Sequence, residues 1–226
     1  DDWLVLAGAA TGGAAPREGD MAERVAERPV LDVSGLPTVQ FGIRSITWWG
    51  ILGMMAIEGM VFLLMIASYF YLHSRSVEWP PHSNPPDLFW GTLNLGIFIV
   101  SAIPNEWYRR RARKGDLQAV RIGLVILSLF AIATVVVRYF ELRHLNTDWS
   151  IDAYGSAVWT LMGLHVLHLL TDMVDTIVVT VLFFTPLIEG KRFMDAAENA
   201  DYWYFVIGAW IPIYLVIYWA PRWLHA

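Results

Sequence analysis

Leu164-His165-Val166-Leu167-His168-Leu169-Leu170-Thr171-Asp172-Met173-Val174-Asp175 lies inside the run 154–185, where these two histidines and two aspartates are the only acidic, basic or imidazole side chains. The run exceeds the roughly 20 residues that carry a helix across about 30 Å of hydrocarbon. Lipid offers no partner to backbone N–H and C=O groups, so the segment must satisfy them internally, as a helix does. On that helix His165, His168, Asp172 and Asp175 follow i, i+3, i+4 spacing and line one stripe.

Working outward, four more apolar stretches cover 47–73, 88–108, 118–142 and 202–221. Composition agrees: 56% of the 226 residues are apolar and 16% charged, against roughly 25% charged in a soluble domain. Twelve tryptophans and nine tyrosines supply the rings that collect at headgroup level. The reading is an all-α polytopic membrane protein, a five-transmembrane-helix bundle over 47–226, preceded by a polar N-terminal extension over 1–46 that mixes Gly, Ala and Pro with charges and holds no run long enough to span. Pro80, Pro81, Pro85 and Pro86, then Gly115 and Asp116, then Pro186 and Gly190 punctuate the spans, while Pro104 and Pro212 fall within spans and are expected to kink them.

The loops orient the bundle. Arg109, Arg110, Arg111, Arg113 and Lys114 follow the second span and Lys191 and Arg192 the fourth, whereas the alternate loops hold little beyond Arg75 and Arg143. The positive-inside rule then places the N-terminus in the cytoplasm and the C-terminus outside, in the inner or cytoplasmic membrane of a bacterium. Cysteine is absent, which removes thiolate chemistry and disulfides, and a net charge of −5 without a basic aromatic face leaves nucleic-acid binding without support.

Ionisable groups within the spans are the candidate site. Glu58 stands alone in the first span, where a carboxylate costs roughly 2.5–3.5 kcal/mol on an insertion scale, so it faces the bundle, a partner or water. It reads as a proton relay or as a structural hydrogen-bonding group. Arg138 and Glu141, three apart near the end of the third span, either pair on one face or let Arg138 snorkel to lipid phosphate. His165, His168, Asp172 and Asp175 can hydrogen-bond, relay protons or in principle bind a metal. A bis-histidine haem needs ligands from opposite sides of the iron, and these two come from one helix face. No catalytic residue, cofactor-binding residue or metal ligand is therefore assigned in this chain, and no phosphate loop, HExxH or nucleophile elbow occurs.

Four blocks resemble subunit III of the haem-copper oxidases, the cytochrome c oxidase subunit III family. They are Glu58-Gly59-Met60-Val61-Phe62; Trp79-Pro80-Pro81 with Asn94; Tyr154-Gly155-Ser156 leading to Gly163-Leu164-His165-Val166-Leu167-His168; and Tyr202-Trp203-Tyr204-Phe205 with Trp210 and Ile217-Tyr218-Trp219. They cover 48–221 in the family order. The chain is similar to the short form, lacking the first pair of the seven helices of longer members. Arg138 stands where the family has the first Glu of a Glu-Tyr-Tyr-Glu pattern, Tyr204 replaces a histidine and Ile207 an acidic residue.

The resemblance implies an accessory subunit that binds no haem and sits against subunit I, which holds the haems and copper, together with subunit II and further subunits. It implies bound phospholipid as well, and places Glu58 near the proton-uptake and lipid region, with His165 and His168 as polar positions of the later bundle. Small residues such as Gly50, Gly53, Ala56, Gly59 and Gly163 are expected to permit close helix approach. Two alternatives stand beside it: an accessory subunit of a nitric oxide reductase, and, from a different class, a small secondary transporter using the His165, His168 and Asp172 stripe.

Overall fold

A computed structural model describes residues 40–81, 84–185 and 190–224. Most of the polar extension (1–39), His82, Pro186 and His225 lie outside the described residues. Five helices have the length and apolar composition to cross a membrane. They are α1 (Ile46–Arg75), α2 (Leu88–Ala112), α3 (Leu117–Arg143), α4 (Ala153–Phe183) and α5 (Gly190–Tyr214), which runs on through a π-helical stretch, Leu215–Trp219, into the short α6 (Ala220–Trp223).

The first four helices open on caps. Ser45, Asp87, Asp116 and Asp152 hold extended backbone before α1 to α4, and each side chain accepts a backbone N–H from the first turn, meeting one of the donors a helix start leaves unpaired. Gly115, with φ +70°, makes the turn between α2 and α3. Arg109, Arg110 and Arg111 close the last turn of α2, where cations complement the helix dipole. After α1 the chain folds back so that Trp79 is buried, donating Nε1–H to the Tyr69 hydroxyl at 2.9 Å and meeting the Tyr154 ring edge-on.

The fifth helix begins earlier than hydropathy indicates. Residues 190–201 are helical although they carry Asp195, Glu198, Asn199 and Asp201. Their polar groups find protein partners: Thr47 donates to Glu198 at 2.6 Å, Tyr108 to Asn199 at 3.0 Å, and Asp201 pairs with Arg109. Pro104 and Pro212 both lie within continuous helix, and the backbone ladder widens to the π form three residues after Pro212.

α2, α3, α4 and α5 form the packed body, with α2 most extensively against α3, while α1 rests chiefly on α4 and α5. Only Phe62 and Tyr69 of α1 are buried, whereas α5 and its extension bury Trp203, Trp210, Ile213 and Ile217 completely. Asn105 donates to the Ala200 carbonyl at 2.9 Å and Trp203 to Ser101 at 2.9 Å, tying α2 to α5 by hydrogen bonds where lipid supplies no hydrophobic drive for association.

The closest backbone approaches are not at the glycines expected. A side chain at Gly50, Gly53 or Gly163 would meet nothing within 4 Å, and one at Gly59 only an ordinary contact with Phe205 at 3.7 Å. Gly91 packs under the Tyr218 ring, Gly123 under the Tyr108 Cβ, and Gly155 against the Asp148 carbonyl, and each of these has no room for a methyl group.

Candidate functional site

The intramembrane polar residues assemble into two clusters at different levels of the bundle. The first surrounds Arg138, which is 2% exposed. Its Nη1 donates to Glu141 Oε2 at 2.9 Å, and its guanidinium lies 3.7 Å above the Trp210 ring, a cation–π geometry. Glu141 also receives Asn94 Nδ2 at 3.0 Å and the Tyr218 hydroxyl at 2.5 Å. Pairing therefore prevails over snorkelling, because the side chain points into the bundle where the Asn94 amide, the Tyr218 hydroxyl and the Trp210 ring face surround the two charges.

His165 completes this cluster from α4. Its Nε2 is 3.1 Å from the Val206 carbonyl, which can only accept, so Nε2 carries the proton. Nδ1, 3.2 Å from Arg138 Nη2, then accepts from the guanidinium, and both ring nitrogens are engaged. Arg138 Nε and Asn94 Oδ1 are without a partner among the described residues. The cluster joins Asn94 of α2, Arg138 and Glu141 of α3, His165 of α4, and Trp210 and Tyr218 of α5 and its extension.

The second cluster lines a groove between α1, α4 and α5, toward the end that carries the arginine-rich α2–α3 turn. Glu58, Asp172, Asp175, Asp195, Glu198 and Tyr202 line it. Glu58 is not isolated: its Oε2 accepts from Tyr202 at 2.9 Å and its Oε1 is 3.5 Å from His168 Nε2. His168 Nδ1 meets the Leu164 carbonyl at 2.6 Å, leaving Nε2 as the nitrogen that faces the carboxylate.

The α4 stripe thus divides. His165 is buried in the packed body, Asp172 is buried at the floor of the groove, and His168 and Asp175 sit on the more open flank. Phe62 packs against both imidazoles, its ring centroid 6.3 Å from His165 and 4.9 Å from His168, and separates the two levels with an apolar layer. Among the described residues no group of three or more His, Asp or Glu side chains converges as metal ligands do.

Several members were not singled out as ionisable residues within apolar runs. Asn94 and Tyr218 belong to the family-like blocks, but Asn105, Tyr108, Glu198 and Asn199 carried no such signal. An asparagine inside a span is itself a cue, since its amide needs partners in lipid as much as a charge does. Glu58 is expected to act through its hydrogen bond: Glu58→Gln, whose amide oxygen still accepts from Tyr202, should assemble like the parent, while Glu58→Leu should cost about 1.5–3 kcal/mol by leaving that hydroxyl unpaired. Yields of assembled complex in mild detergent read the difference, and equal yields for all three would discard the structural role.

Five apolar helices of membrane-spanning length, with two polar clusters among them, define a multi-pass membrane protein. No family model matches the chain. Over 165 residues it is 24% identical to the probable cytochrome c oxidase subunit 3 of Nocardia farcinica, covering 71% of this chain and 81% of that protein. Over 170 residues it is 28% identical to the probable cytochrome c oxidase subunit 3 of Mycobacterium leprae, with the same two coverages of 71% and 81%. The cytochrome c oxidase subunit 3 of Artemia franciscana is 24% identical over 186 residues, covering 80% of this chain and 70% of that protein. These homologues support the cytochrome c oxidase subunit III family.

Proposed function

We propose that the chain is the cofactor-free accessory subunit of a haem-copper terminal oxidase in a bacterial inner or cytoplasmic membrane, bracing the catalytic subunit and supporting its proton uptake and lipid environment during oxygen reduction. Its partners in this reading are subunit I, which carries the haems and copper, subunit II, further subunits and phospholipid. The N-terminus and the polar segment 1–46 lie on the cytoplasmic side with the basic loops, and the C-terminus lies outside. The observation that carries the reading is the convergence of residues from separate family-like blocks, Asn94, His165, Trp210 and Tyr218, on the buried pair Arg138–Glu141. A static polar keystone of this kind suits a bracing role, since its hydrogen bonds run between helices and His165 has no nitrogen left for a metal.

The groove supports the second half of the reading. Glu58, His168, Asp172 and Asp175 carry ionisable groups from the middle of the bundle toward the end that holds the basic loops, the side from which proton uptake from the cytoplasm would begin.

Purification in mild detergent tests the proposal: a haem-bearing partner should co-purify and the complex should consume oxygen. A stable haem-free assembly of this chain alone that moves a solute would replace the reading with a transporter, and nitric oxide consumption in place of oxygen would assign the reductase complex. His168→Ala is expected to leave iron and copper per assembled complex unchanged; reproducible loss of either metal, corrected for assembly, would overturn the cofactor-free assignment.

A further inference from the structure

Asp172 is 2% exposed at the floor of the groove, and neither of its carboxylate oxygens has a hydrogen-bond partner among the described residues. A carboxyl group left so is costly whether ionised or neutral, because both forms lose water without replacement. Among the described residues nothing around it is free to help. Tyr202 donates to Glu58, Asn199 Nδ2 to Asp175 and Thr176, Thr171 to the Leu167 and His168 carbonyls, and Thr47 to Glu198. No described side chain of this chain supplies the missing donor.

The charge of the groove selects its sign. Glu58, Asp172, Asp175, Asp195 and Glu198 line a cavity of about 610 Å³, and among the described residues no lysine or arginine lines it. The lining continues along the same two helices as apolar side chains, Ile51 and Met54 of α1 and Val178, Val179 and Leu182 of α4. A bare metal ion would want several ligands converging on one point, which the described residues do not supply. An ammonium phospholipid carries its phosphate a few bonds from the cation and would bring that anion among the carboxylates. A lysine or arginine side chain has a charged head on an uncharged stem, which matches acid at the floor and aliphatic side chains on the wall.

We infer that this groove receives a lysine or arginine side chain of a partner chain, its cation seated on Asp172 and flanked by Asp175 and Glu58. The inference rests on the oxidase reading only in expecting that partner among the subunits of the same complex.

The test uses the complex purified from native membranes with a photoreactive amino acid in place of Met54. The cross-link should map to a co-purifying chain at a peptide bearing Lys or Arg, and Asp172→Asn should lower retention of that chain through a salt wash by roughly tenfold or more, as loss of one member of a desolvated charge pair does. Exchanging the charges, Asp172→Lys with the mapped basic residue changed to Asp, should restore retention. Cross-linking to phospholipid alone, or unchanged retention in both Asp172→Asn and Asp172→Leu, overturns the inference. A cross-linked basic partner in a complex without haem or copper sinks the oxidase reading and upholds the groove; a haem-bearing complex in which the Met54 probe reaches no chain does the reverse.

Discussion

Glu141→Leu is expected to destabilise the bundle by about 3–5 kcal/mol, because it leaves the Arg138 guanidinium buried without its counter-charge. Arg138→Met should cost a similar amount by stranding Glu141. The double variant Arg138→Met with Glu141→Leu should be less damaging than either single change, since no uncompensated charge remains, although Tyr218, Asn94 and His165 still lose partners. Unfolding of the detergent-solubilised complex, followed by tryptophan fluorescence, measures all three. Additive losses in the double variant would show that the two side chains act independently and that the keystone is not a pair.

That cycle also bears on why a charged pair sits where apolar side chains would pack at lower desolvation cost. Arg138 and Glu141 are held by groups from α2, α4, α5 and the π-helical stretch, so any axial slip of one helix breaks several hydrogen bonds at once. Apolar contacts tolerate such slips better, because lipid and protein offer them similar surroundings. The pair therefore sets register more than it adds stability.

How far the sequence carried this picture depended on the kind of information each feature needs. Span number and, to within a residue, the first four helix starts were legible, because apolar length is a local property. The start of α5 was not: 190–201 reads as polar until Thr47, Tyr108 and Arg109 from other helices are placed beside it. Spacing put His165, His168, Asp172 and Asp175 on one stripe, but could not say that the stripe straddles the edge of α4's buried face. For Arg138 two directions were open because periodicity does not tell interior from lipid at a helix end. The small residues misled for the same reason: Gly50, Gly53 and Gly163 look like contact glycines, yet which glycine meets a neighbour is decided by helix rotation and crossing.

Gly123 shows what such a meeting is worth. A Cβ there would land on the Cβ of Tyr108, an atom that rotation of the tyrosine side chain cannot move aside, so α2 and α3 must separate or Tyr108 must leave its place. Gly→Ala raises helix propensity by up to about 1 kcal/mol, while forced overpacking typically costs about 1–3 kcal/mol. With the obstacle fixed to the backbone, overpacking wins, and Gly123→Ala should lose about 1–3 kcal/mol, with Gly123→Leu losing more. Gly163→Ala, which meets nothing within 4 Å, serves as the control and should be neutral or slightly stabilising. The damage should also travel, because the Tyr108 hydroxyl donates to Asn199 at 3.0 Å and Asn199 in turn holds Asp175 at 3.3 Å. Displacing Tyr108 therefore disturbs the acidic groove from the far side of α5, and the complex carrying Gly123→Ala should show both a lower thermal midpoint and weaker retention of its partner in a salt wash. A midpoint equal to that of Gly163→Ala would mean that the α2–α3 contact yields freely, and retention unchanged despite a lowered midpoint would uncouple the groove from that contact.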